Sequence, residues 1–184
     1  PNRFDTALDA ASEKPGEQRL EKMVSGRYMG LLFDMALAEL FGEPERRYGF
    51  SSIEISRMLE DQSDQAHAAA VIVETITGYT IAAEDAVCVR ALAQAVAARS
   101  VRLITATFVG TMWQIAGVGE ICRQHIAIDG TVYEKMPLVK ENIMRALSEL
   151  LGTEAEKVDT VFAGGGSGLG GALAAAMTER AVRG

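Results

Sequence analysis

The sequence predicts an α/β fold: a helix-rich part over about residues 1–119, then a small ββαβα sheet unit over 120–184. Three observations predict it. Apolar residues recur at helical spacing in long stretches as far as Ala116. After Gly119 the pattern changes to alternation, over Arg123–Gly130 and again over Thr131–Lys135. The chain then closes on Val158–Met177, VDTVFAGGGSGLGGALAAAM, which reads as strand, glycine loop and helix.

Taken in order, Pro1–Ser12 is a polar lead-in without clear period, and Pro15-Gly16 marks a turn. A long helix is expected from Glu17 to about Phe41, on the spacing of Leu20, Met23, Val24, Tyr28, Leu31, Leu32, Met35 and Ala38. Gly26 and Gly30 interrupt it; close helix packing and close approach of a ligand are both open readings. Gly42-Glu43-Pro44 stops it. Ser51 or Ser52 caps a short helix over Ile53–Leu59, and another runs from Gln62 to about Thr77, ended by Gly78. Glu84 and Asp85 open a long helix to about Ala116, Ala-rich and apolar nearly all round, hence expected to be central and buried. Trp113 near its end is expected in the core. Arg123–Gly130 and Thr131–Lys135 are expected to pair as a hairpin about Asp129-Gly130. Pro137 starts a helix over Leu138–Leu151, with Val139, Ile143, Leu147 and Leu150 on one face.

Composition narrows the function classes. The chain has 184 residues, 48% apolar and 23% charged, ordinary for a soluble globular domain. A net charge of −7 argues against a nucleic-acid or anionic-membrane surface. No long apolar span or signal peptide is present, and a cytoplasmic protein is expected. Cys88 and Cys122 sit among apolar residues and are expected as buried thiols rather than a disulfide. His67 and His125 are too few for a metal site, so none is expected. The first residue is Pro1 rather than Met, and the opening reads like the middle of a longer sequence; an upstream segment is expected.

The glycine loop carries the chemistry. Gly164, Gly165, Gly166, Gly168, Gly170 and Gly171 fall within eight residues. Glycine costs backbone entropy, so such density needs a reason. One is a ligand lying against bare backbone, with free N–H groups and the positive helix end directed at it. The other is a tight connection that lets the helix pack on the sheet. Ser167 adds a hydroxyl. No Lys-Ser/Thr follows, so this is not a Walker A loop.

Two longer stretches resemble a known family. IAIDGTVYEKMP, then a helix, then VFAGGGSGLGGAL is similar to the end of a hexokinase, an ATP-dependent sugar kinase. KPGEQRLEKMVSGRYMG, Lys14–Gly30, resembles the family's NPGQQ–EKM–SG–YLG segment. The resemblance covers essentially the whole chain. It implies half of the large lobe of a two-lobed, actin-like (ribonuclease-H-like) enzyme. The implied reaction moves the γ-phosphoryl of Mg-ATP to the 6-hydroxyl of a hexose, glucose above all, a step of glycolysis.

By the same resemblance, Glu21 matches the glutamate that accepts sugar hydroxyls; the residue alone reads as an acid in a first helical turn. Gly26 and Arg27 match positions near the nucleotide phosphates, and Ser52 and Ser56 match hydroxyl residues lining the nucleotide site. Gly166, Ser167, Gly168, Leu169, Gly170 and Gly171 match the adenosine loop, Leu169 standing where a basic or small residue is common. Asp129 resembles the Asp of the family's Asp-Gly-Thr turn, and reads first as a turn residue. The family's first phosphate loop and its sugar-binding Asn-Asp pair, whose Asp is the general base, are not in this sequence. The chain alone is therefore expected to be inactive, with no catalytic residue, holding ATP and Mg2+ together with a preceding part of the same protein. A non-catalytic nucleotide-binding relative and a helical interaction module are the rival readings.

Overall fold

The structure is a computed structural model that describes residues 1–183 except Val118, with the side chains of Ser167 and of 177–183 left aside. Its elements run α1 (Arg3–Ala10), α2 (Arg19–Val24), α3 (Gly26–Leu40), α4 (Ser52–Glu60), α5 (His67–Thr77), α6 (Ala83–Ala116), β1 (Gln124–Ile128), α7 (Thr131–Lys135), α8 (Val139–Leu151), a 3-10 turn (Gly152–Lys157), β2 (Val158–Phe162) and α9 (Gly166–Arg183).

α6 is the spine. Its 34 residues span about 50 Å at the helical rise of 1.5 Å. One stripe is buried, through Ala86, Val89, Ala93, Ala97, Val101, Thr105, Val109 and Met112. The spacing of three and four lets α2, α3, α4, α5 and α8 pack against one side. Phe33 and Phe50 meet edge to face at 5.2 Å, beside Leu37, Ile55, Met58 and Val73. The expected burial of α6 all round is corrected: its other side is open, and Trp113 is 54% exposed rather than in the core. Cys88 and Cys122 are free and exposed, not buried. Ala86 and Val89 take the inward positions around Cys88, and Ile121 takes the one beside Cys122.

The lead-in is helical. Asn2 accepts the Asp5 N–H and Asp5 returns to the Asn2 N–H, a reciprocal capping box that starts α1. Leu8 then packs with Leu32 and Met35. The expected helix from Glu17 is two helices, because Ser25 is extended (φ −76, ψ 152) and serves both as the end of α2 and the start of α3. α5 begins at His67 rather than Gln62, since Asp61 and Ser63 hold a turn there.

The expected hairpin is overturned. Thr131–Lys135 is helix α7, and β1 pairs in parallel with β2, Gln124 opposite Val158 through Ile128 opposite Phe162. After Asp129, Gly130 is extended at positive φ (φ 148, ψ 145) and turns the chain off the sheet. The Gly130 carbonyl accepts the Glu134 N–H, starting a helix instead of a ladder. Val132 and Tyr133 then pack on the core, and the Tyr133 hydroxyl donates to Thr160 Oγ1 at 2.8 Å. Parallel pairing requires a crossover, which α7, α8 and the 3-10 turn supply. The unit is thus a β-α-α-β-α run with a two-stranded parallel sheet, in a mainly helical α/β chain.

Candidate functional site: a helical wall and a glycine loop

The site is built from the starts of helices. α4 begins with a capping box: Ser51 Oγ accepts the Ile53 N–H at 3.1 Å, and the Ser51 N–H donates to Glu54 Oε2 at 2.9 Å. That box fixes Ser52 in the first turn, and Ser56 follows four residues on, on the same face. Both line a cavity of about 300 Å³ with Arg57, Thr131, Val132 and Lys135. Gly26 approaches from α3. A Cβ there would lie 2.7 Å from Val132 Cγ2 and 3.4 Å from Ser52 Oγ. The structure therefore brings Gly26, Ser52 and Ser56 together.

A second cavity, of about 330 Å³, joins Val24, Ser25 and Gly26 to Asp129, Gly130 and Thr131. Thr131 and Val132 border both cavities, so they adjoin along the start of α7. Asp129 sits at the turn that redirects the chain, as its residue type predicts.

Glu21 and Arg27 are placed elsewhere. They line a wider groove of about 550 Å³ with Lys14, Gln18, Tyr28 and Arg47. Both side chains are exposed. Arg27 lies over the Tyr28 ring, 5.6 Å from its centroid. No hydrogen bond or ion pair holds the Glu21 carboxylate among the described residues, so its acceptor oxygens are open to the groove. Consecutive residues Gly26 and Arg27 thus face different hollows, and Arg27 shares its groove with the carboxylate rather than with the two serines.

The glycine loop follows β2 as the sequence predicts. The Ala163 N–H donates to the Ile128 carbonyl, continuing the parallel pair, and Gly165 turns at φ 72. Helix α9 begins at Gly166. Parallel register puts Asp129-Gly130-Thr131 and the glycine loop at the same, C-terminal end of the sheet, where open α/β folds place ligands. At Gly168, Gly170 and Gly171 an added Cβ would meet nothing within 4 Å among the described residues. Leu169 is exposed. The Ser167 side chain lies outside the described residues. None of the three cavities above includes a residue of Gly166–Gly171.

Thr131, Lys135 and Arg57 join the serine cavity without having been singled out in the sequence. Thr131 and Lys135 are four apart, so reading that stretch as a helix would have put them on one face. Among the described residues no group of three His, Cys, Asp or Glu side chains is placed to hold a metal ion. Among them too, no helix is long and apolar enough to cross a membrane.

Comparison with known proteins bears on this arrangement. The Hexokinase family model matches residues 1–177. Hexokinase-7 of Oryza sativa subsp. japonica is 35% identical over 94% of this chain and 41% of its own length. The hexokinase of Schwanniomyces occidentalis is 28% identical over 98% of this chain and 40% of its own. A hexokinase crystal structure superposes with a TM-score of 0.75 at 24% identity, covering 89% of this chain and 38% of that one. A Schistosoma mansoni hexokinase complexed with glucose superposes at 0.72 and 18% identity, over 91% of this chain and 39% of that one. The two superpositions speak for the fold. This chain spans about 40% of the length of both of these curated relatives. With its match running nearly end to end in one family, the chain belongs to the hexokinases.

Proposed function

We propose that this chain forms one wall of the cleft of an ATP-dependent hexokinase, half of an actin-like large lobe, which transfers the γ-phosphoryl of ATP to the 6-hydroxyl of a hexose, glucose first among them. The observation that carries the reading is the glycine loop. It stands at the ligand-binding end of the sheet beside Asp129–Thr131, with Gly168, Gly170 and Gly171 left bare. Glycines that pack against nothing among the described residues are free to lie against adenosine. Ser52 and Ser56 offer hydroxyls to the nucleotide, with Gly26 admitting close approach. Glu21 offers two acceptor oxygens to sugar hydroxyls from the neighbouring groove.

Phosphoryl transfer asks little covalent chemistry of the protein. It depends on position and on stabilising charge. In this reading the chain binds and orients. The general base and the phosphate loops come from a part of the protein outside these residues. Mg2+ would be held mainly by ATP and by residues outside this chain.

Thermal melting of the full-length protein with and without ATP tests the loop. Gly168 has no positive φ and open space at its Cβ, so Gly168→Val introduces no backbone strain. The variant should melt without ligand at nearly the wild-type temperature. ATP at about 100 times its Kd should stabilise wild type by about 2.7 kcal/mol and the variant far less. Equal ATP shifts in both would remove the loop from the nucleotide site.

A further inference from the structure

The residue beside Glu21 is a buried cation. Lys22 is 3% exposed, a rare state for a lysine. Its ammonium donates to Asp9 Oδ1 at 2.6 Å and to the Lys14 carbonyl at 2.6 Å. The other Asp9 oxygen accepts the Gly16 N–H at 2.9 Å. These bonds hold the Asp9 carboxyl below its ordinary range, the Lys22 hydrogen bond being the largest cause. One cation therefore ties together α1, the turn at 14–16 and α2. Both helices are fixed in turn to the spine. Arg99 of α6 donates to Asp5 of α1 at 2.6 Å, and Ser100 of α6 donates to the Val24 carbonyl at the end of α2 at 2.6 Å.

α2 needs this support. It has six residues, enters through Gln18 at φ 49, leaves through extended Ser25, and has no side-chain cap at its start. A helix so short does not hold its own direction. Successive helical residues point about 100° apart. Lys22 is drawn into the seam between α1 and α2 at the buried floor of the groove, and exposed Glu21 opens onto the same groove, which Arg27 also lines. The Glu21 carboxylate has no hydrogen bond or ion pair of its own among the described residues, so its aim comes from the helix that carries it.

We infer that the Lys22–Asp9 pair is a positioning pair that aims the Glu21 carboxylate at the hexose. The inference rests on the reading of Glu21 as the sugar ligand. A purely structural ion pair would hold α1 to α2 without bearing on sugar use. A positioning pair acts through Glu21 and has no effect on sugar use once Glu21 is disabled.

A double-mutant cycle in the full-length protein separates the two. Lys22→Met and Asp9→Asn are made alone and in a Glu21→Gln background, and KM for glucose, KM for ATP and Tm are measured. Alone, each should raise the glucose KM roughly tenfold while the ATP KM stays within about twofold. In the Glu21→Gln background each should change the glucose KM by less than about twofold, because residues acting through one group are not additive. Asp9 is partly exposed and Asp9→Asn keeps its shape, so it carries the test if Lys22→Met fails to fold. A fall in Tm with the glucose KM unmoved would overturn the inference. So would an equal rise in glucose KM in both backgrounds. An unchanged glucose KM in Glu21→Gln alone would instead overturn the sugar-ligand reading itself, and the inference with it.

Discussion

Asp61 closes the connection from α4 to α5 with one carboxylate. Its two oxygens accept the Ser63 and Ala68 N–H groups, each at 2.8 Å. Arg90 donates to the Asp61 and Ser63 carbonyls from α6. The bonds from Ser63, then from the Ala68 N–H, hold the Asp61 carboxyl down at about 2. An unfolded Asp titrates near 3.9. The folded state thus binds this proton less readily than the unfolded one, and the contribution is complete above the unfolded value. It is lost as pH falls from about 4 towards 2. Wild type should therefore melt above Asp61→Asn at neutral pH, with the gap narrowing across that window; a gap independent of pH would contradict the assignment. This bond set was not legible in the sequence, where Gln62 was the expected helix start. An Asp that accepts N–H groups two and seven residues on leaves no periodic mark.

At the scale of elements, packing decides what pattern leaves open. Gly30 and Gly168 both interrupt helical stretches, and both admitted a ligand or a packing reading. At Gly30 a Cβ would lie 2.5 Å from Ser51 Cα and 2.8 Å from the Phe50 carbonyl oxygen, backbone that cannot step aside. Gly30→Ala should therefore destabilise by about 2 kcal/mol in chemical denaturation, despite a gain of about 1 kcal/mol in helix propensity. Gly168→Ala, in open space, should be neutral or mildly stabilising in the same assay. A stabilised Gly30→Ala would deny the close packing of α3 on α4. The same limit explains the hairpin. Alternation over Arg123–Lys135 was genuine, but Val132 and Tyr133 find their partners in the core and at Thr160, three elements away in the chain. Local periodicity cannot report that. The long helix, the capped α4, most of the α8 face and the strand–glycine loop–helix were legible because each is set by neighbours in sequence; Leu150, expected on that face, is exposed, and Ala146 takes the inward place. α1 was hidden because its box is Asn-x-x-Asp over only two apolar turns.

For the whole molecule, the site divides into a serine cavity, a carboxylate groove and a glycine loop, carried on one helical wall and one sheet end. The motifs that resemble a hexokinase named most of the residues involved. They did not show that Arg27 turns to the Glu21 groove, which follows from the break between α2 and α3 at Ser25, nor that Thr131 and Lys135 complete the serine cavity, which depends on α7 being a helix. The proposed division of labour leaves the general base outside these 184 residues. A purified sample of this chain alone should therefore show no hexose phosphorylation above background, and turnover abolished by Glu21→Gln would contradict it.

The central claim is that one wall serves both substrates through separate residues. Initial-rate kinetics of the full-length protein, with glucose and ATP varied independently, test it most directly. Glu21→Gln should raise the KM for glucose by about tenfold or more and leave the KM for ATP within about twofold, as expected for a lost charge-assisted acceptor. Gly168→Val should do the reverse. Two variants that move both constants together, or Glu21→Gln with wild-type glucose kinetics, would contradict the account.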